Sequence, residues 1–170
     1  MEVQQIEQAI ASTRYLVECF GADGVLKWSD EFDNLVVTAG LNELLDKTFK
    51  GSAYTAAWYV GLVGATPTFA AGDTMASHGG WTEIADYSES VRQTLTLGAV
   101  SGGSVSNTAS KATFSINNTA TVGGAFVVSV NTKSGSTGTL YGGGAFTQGN
   151  RPLMNGDSLQ VTMTLTITAS

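Results

Sequence analysis

The chain has 170 residues, a net charge of −6, charged side chains at only 13% and a single cysteine. That length suits one domain of roughly 100–200 residues. The acidic balance argues against a nucleic-acid binder or a protein docked on an anionic membrane, no run of about 18 apolar residues could span a bilayer, and Cys19 alone can form no internal disulfide.

The N-terminal MEVQQIEQAIASTR lacks a basic stretch followed by an apolar one, so no secretory signal is expected. An unpaired thiol fits assembly in a reducing cytosol. Charged residues stand at about half their usual share, and the 21 glycines at about twice theirs. Solubility must then rest on hydroxyls and amides, and part of the surface is expected to be covered by partners.

In chain order, VQQIEQAI reads as a short amphipathic helix with Val3, Ile6 and Ile10 on one face. It is too short to stand alone and is taken as part of an N-terminal arm over residues 1–13. RYLVECF and VLKW read as two strands joined at GADG, where Asp23–Gly24 marks a turn. The stretch about 39–50 reads as the one helix. Leu41, Leu44, Leu45, Thr48 and Phe49 make an apolar stripe, Thr38 is the expected N-cap and Gly51 the expected stop.

The period then switches to two. AAWYVGLV is a strand, residues 64–80 are a loop, and RQTLTLGAV, KATFSIN, GGAFVVSVN, GTLYGGGAF and SLQVTMTLTITA follow as strands between Gly-, Asn- and Ser-rich turns. In the last of these, Leu159, Val161, Met163, Leu165 and Ile167 alternate with polar positions, the mark of a half-buried strand. Strands at this spacing predict an all-β fold, a jelly-roll-like β-sandwich over residues 14–170.

The stretch ASHGGWTEIADYSE gathers the only histidine, His78, with Glu83, Asp86 and Glu89, and Asp73 lies just upstream. Asp73, His78 and Glu83 are chemically able to hold a divalent metal. Their five-residue spacing matches neither a helix nor a strand face, and zinc sites use more Cys and His than this chain has. A Ser–His–Asp triad would need the adjacent Ser77 and has no GxSxG elbow. Cys19 could pair with His78 as nucleophile and base, but within YLVECF it reads as a small packed hydrophobe. The acids of WSDEFDN invite comparison with the carboxyl pair of a glycosidase, which needs a deep cleft. YGGGAF lacks the lysine of a phosphate loop, so its glycines read as a bulge, a bend or a close backbone approach. No catalytic residue, metal ligand or cofactor is assigned.

The set NLVVTAGLNELLDKTFKG, AAWYVGLV, GDTMASHGGWTEIADYSE and TLYGGGAF resembles small virion proteins of tailed bacteriophages. The resemblance implies a non-enzymatic capsid decoration (cement) protein of jelly-roll type on the outside of the head. It implies the major capsid protein as partner, with neighbouring capsomers bridged, and a homo-oligomer (a dimer or trimer). Val3, Ile6 and Ile10 of the arm and Phe69, Met75 and Trp81 of the long loop are the candidate intermolecular contacts. Two alternatives stand beside this reading. One is a tail, collar or fibre component that binds a host receptor or an adjacent tail protein. The other is a small hydrolase or metal-binding enzyme using His78.

Overall fold

A computed structural model describes residues 9–53 and 57–169. Among these, the chain order is β1 (Ala9–Phe20), β2 (Leu26–Asp33), β3 (Leu35–Val36), α1 (Thr38–Phe49), β4 (Tyr59–Val63), β5 (Glu83–Ile84), β6 (Gln93–Thr94), β7 (Ser104–Ser106), β8 (Ala112–Ser115), β9 (Ala120–Val122), β10 (Gly124–Val128), β11 (Leu140–Ala145), β12 (Arg151–Leu153) and β13 (Ser158–Ala169). The first sheet runs β2-β1-β13, with β7 and β8 both paired along the far edge of β13. The second runs β3-β11-β10-β4, with β5 and β6 both on the far edge of β4, and β9 and β12 form a separate two-stranded ladder. Every named pairing is antiparallel. The fold is thus the expected all-β sandwich. Its sheets hold five and six strands, in place of the two sheets of four in a simple eight-stranded jelly roll.

β1 and β13 pair over twelve residues, from Ala9 opposite Ala169 to Phe20 opposite Ser158. Their alternation sets the core: Tyr15, Val17, Cys19, Leu159, Val161 and Met163 point inward and are buried. They meet Val60, Leu62, Ala125, Val127 and Tyr141 of the second sheet. The residues of β10 between these also lie buried, because Phe126 and Val128 face a second cluster with Val37, Val63, Met75, Trp81 and Leu140. The second sheet is therefore covered on both faces, by the first sheet on one side and by the loop after β4 on the other. This explains why GGAFVV reads as a continuous apolar run.

The glycines of YGGGAF are explained by contact. A Cβ on Gly143 would lie 2.2 Å from the Phe69 ring, and one on Gly142 2.3 Å from the Leu35 carbonyl. The close-approach reading holds, since Phe69 and the β3 backbone occupy the space where side chains would stand.

The expected arm over 1–13 does not hold for residues 9–13. Ala9 to Thr13 belong to β1, paired with Leu165 to Ala169, and Ile10 lies in this strand rather than on a helix. Val3 and Ile6 lie outside the described residues. The helix is one residue offset from expectation, with Val37 at the N-cap and no side-chain cap, so Thr38 is the first helical residue. Gly51 follows the helix with φ +70°, as the expected stop requires.

The largest departure concerns the face that α1 buries. Gly40 is its buried residue, and a Cβ there would sit 2.3 Å from the Tyr141 carbonyl. Backbone bonds fix this docking: Val37 N–H donates to Tyr141 O (3.1 Å) and Thr38 N–H to Ala71 O (2.9 Å). Leu41 stands about 100° round the helix from Gly40, so it and Leu45 and Phe49 turn outward. Alanine at position 40 would gain about 1 kcal/mol of helix propensity. Its methyl would collide with backbone, which costs about 1–3 kcal/mol in a packed site. The stability of Gly40→Ala in urea is expected to fall, by up to about 2 kcal/mol, and a gain would show that α1 is free to move off the sheet.

Candidate interaction surface

In ASHGGWTEIADYSE the histidine and the acids are bonded within the chain. The His78 ring stacks on Trp81 with centroids 3.8 Å apart and planes 17° apart, and its Nδ1 lies 3.1 Å from the Trp81 carbonyl. That carbonyl can only accept, so Nδ1 carries the proton. Trp81 is buried against Phe69 and Phe126, and its indole N–H donates to Asp73 Oδ2 (3.0 Å). Asp73 also accepts the Ala70 N–H. Glu89 accepts the Ser115 N–H, and Asp86 accepts from the Asn118 amide. Among the described residues no three His, Cys, Asp or Glu side chains converge as a metal site. Of the loop's candidate contacts, Met75 and Trp81 are buried in the second cluster and Phe69, half-buried, packs against it.

Two cations that sequence reasoning did not single out hold this loop in place. Arg92 is fully buried. Its Nε and Nη2 donate to the two oxygens of Glu83 (2.9 and 2.7 Å). Its remaining donors reach Val130 O and Gly135 O, both at 2.8 Å, and the guanidinium lies over Phe126. The planar fork of donors suits this fixed set of acceptors. Lys133 Nζ donates to the carbonyls of Ala85, Tyr87 and Glu89 and sits 4.0 Å from the Tyr87 ring centre. The one signal in the sequence is the scarcity of charge beyond Arg92, where Lys133 is one of three cations.

The WSDEFDN acids are also structural. Asp30 is buried and accepts the N–H groups of Thr147 and Gln148, while Glu31 pairs with Arg14. Cys19 is buried. Burial, reinforced by the Asp157 carboxylate, pushes its thiol up to about 12, which suppresses the thiolate a nucleophile needs.

One end of the molecule is open and apolar. Leu41, Leu45 and Phe49, at helical spacing on α1, are 43%, 57% and 81% exposed. Leu44 of the same helix lines an adjoining groove of about 320 Å³ with Val100, Val105, Tyr141, Leu165 and Ile167. The groove exists because β1 and β13 run twelve residues while β10 and β11 run five and six. The inward face of β13 therefore outruns its cover. Met163 is buried, Leu165 half-buried and Ile167 54% exposed. The apolar surface is thus continuous from α1 to the end of β13.

A charge-poor β-sandwich with an exposed apolar end, whose histidine and loop acids bond within the chain, has the build of a structural protein. Residues 36–168 match the family described as podophage GP4 fiber I protein gp80. The chain belongs to this family and is a structural protein of the tailed-phage virion. No curated protein matches it.

Two measurements test the internal roles. Arg92→Met strands the buried Glu83 carboxylate, and breaking such a pair costs about 3–5 kcal/mol; chemical denaturation should show a loss of that size, largely recovered in Arg92→Met/Glu83→Met. Cys19 should resist a thiol-specific disulfide reagent in the native protein and react once unfolded. Rapid reaction of the folded chain would contradict the packing described for it.

Proposed function

We propose that this protein is a non-enzymatic fibre component of the podophage virion that joins its neighbour through the apolar end formed by α1, the 97–105 segment and the end of β13. The observation that carries this reading is the family match over residues 36–168, which spans all three parts of that end. The family is one of fibre proteins. It supports the tail, collar or fibre alternative and gives no support to a decoration protein that bridges capsomers.

The physical argument runs alongside. An exposed Phe49 and two exposed leucines on one helix ridge lose solvent contact only if another surface covers them, and each apolar side chain so buried contributes about 1.5–3 kcal/mol. Repeated contacts in an assembly multiply such modest terms. The occupant proposed is a second copy of this chain, consistent with the homo-oligomer expected above. The apolar end replaces Phe69, Met75 and Trp81 as the contact surface.

Light scattering and whole-particle imaging test both parts. The wild-type protein should form a defined oligomer. Leu45→Glu/Phe49→Glu should be monomeric with stability changed by no more than about 0.5 kcal/mol per exposed site. In virions the chain should be present in few copies, in density outside the head shell; hundreds of copies spread over the head would return the decoration reading.

A further inference from the structure

The end of the sandwich opposite the apolar one carries a second open patch. Two turns build it: the β1–β2 turn over residues 21–25, and the turn over 154–157 between β12 and β13. Ile167 at the apolar end and Ser158 beside these turns lie roughly 30 Å apart along β13. Val25 is 61% exposed, Leu26 49% and Met154 51%.

Both turns are bonded into one arrangement. In the first, Gly21 N–H donates to Val25 O (2.9 Å), Gly24 N–H to Gly21 O (2.8 Å) and Val25 N–H to Asp23 Oδ1 (3.0 Å). A Cβ on Gly156 would lie 3.3 Å from the Ala22 Cβ, so the two turns abut. Asp157 ties them together, since its Oδ2 accepts from Lys27 Nζ (2.6 Å) and from the Met154 N–H (2.9 Å). A surface already held in one arrangement loses little freedom when a partner covers it.

We infer that this turn patch receives the apolar end of the next copy, so that copies join head to tail. The inference rests on the reading above, in which a second copy covers the apolar end, and it names the surface on that copy. Two observations select it. A contact between two like ends leaves Val25, Leu26 and Met154 of both copies in water, whereas a head-to-tail contact covers both kinds of patch. The exposed charges beside the patches are also opposite in sign. Lys50 follows Phe49 at the end of α1, and Asp23 stands two residues before Val25. Lys50 pairs with Asp46 on its own helix (3.0 Å), and an exposed pair of this kind is exchanged at little cost. The β1–β2 turn precedes residues 36–168, so the family match does not imply this contact. Heterologous contacts close into a ring where the rotation between copies allows it, and the defined oligomer expected above is then such a ring.

Mixing two blocked variants tests the inference by light scattering. Val25→Glu/Met154→Glu places charge on the turn patch, and Leu45→Glu/Phe49→Glu places it on the apolar end. Each alone should be monomeric where the wild type is assembled, with a dissociation constant raised at least about tenfold. Their equimolar mixture should give a 1:1 dimer, since each supplies the intact end that the other lacks. Each variant should keep the circular dichroism and Tm of the wild type; if glutamates at the turns unfold the chain, Val25→Ser/Met154→Ser takes their place. The inference is overturned if the turn variant assembles like the wild type, or if the mixture stays monomeric. Either result leaves self-association through the apolar end standing, with a different receiving surface. Assembly of Leu45→Glu/Phe49→Glu alone would instead overturn the reading of the apolar end, and this inference with it.

Discussion

The second sheet is apolar on both faces, and the rest of the molecule is arranged to cover it twice. Phe126 and Val128 on one side of β10, and Ala125 and Val127 on the other, cannot be left in water. The first sheet covers one face. The other is covered by a loop with little regular structure, so its position must be fixed by side chains. Trp81 supplies the apolar mass and Arg92 supplies the bonds that keep it there. A guanidinium buried with four matched acceptor contacts is tolerated only because nearly every donor is used.

The scarcity of charge follows the same logic. The buried acids Asp30, Asp73 and Asp157 each accept backbone N–H groups of nearby turns. Asp157 is also bonded to Lys27 at 2.6 Å. Burial alone would raise its carboxyl, but the Lys27 ammonium and the Met154 N–H outweigh that and hold it below the ordinary carboxylate value. Its folded-state stabilisation is therefore present above the unfolded carboxylate value and is lost as pH falls through the lower folded one. Lys133, with three carbonyl acceptors, ties the 83–92 segment to the 131–136 turn. Several charges in this chain tie irregular segments down, and the group around His78 gathers its acids in a packed cover.

Exposure is divided between two surfaces built on one strand. Residues of one parity on β13 run from the core into the apolar groove at Leu165 and Ile167. The other parity places Thr162 and Thr164 on a polar cleft of the outward face. A twelve-residue strand paired with shorter layers makes both possible. Its inner face overhangs the sandwich at one end, and its outer face is never covered by a further layer.

Much of this was legible in the sequence. The alternation of Leu159 to Ile167 defined β13 and its buried face, the turn residues announced a sandwich, and YGGGAF signalled a bulge, a bend or a close approach. These are local properties, set by strand period and by the lack of a Cβ. The orientation of α1 was not legible. Leucine spacing predicted which residues share a face but not which face the sheet would take, and Gly40 won because only there can the helix backbone touch the Tyr141 carbonyl. Arg92 was equally hidden, since its acceptors lie 9, 38 and 43 residues away along the chain. The sequence by itself determined the fold class, the strand faces and the economy of charge, because these depend on residue type and period. Only the tertiary structure decided where the apolar stripe points, where the sandwich ends and which acids are bound, because each of these is fixed by distances between segments far apart in the chain.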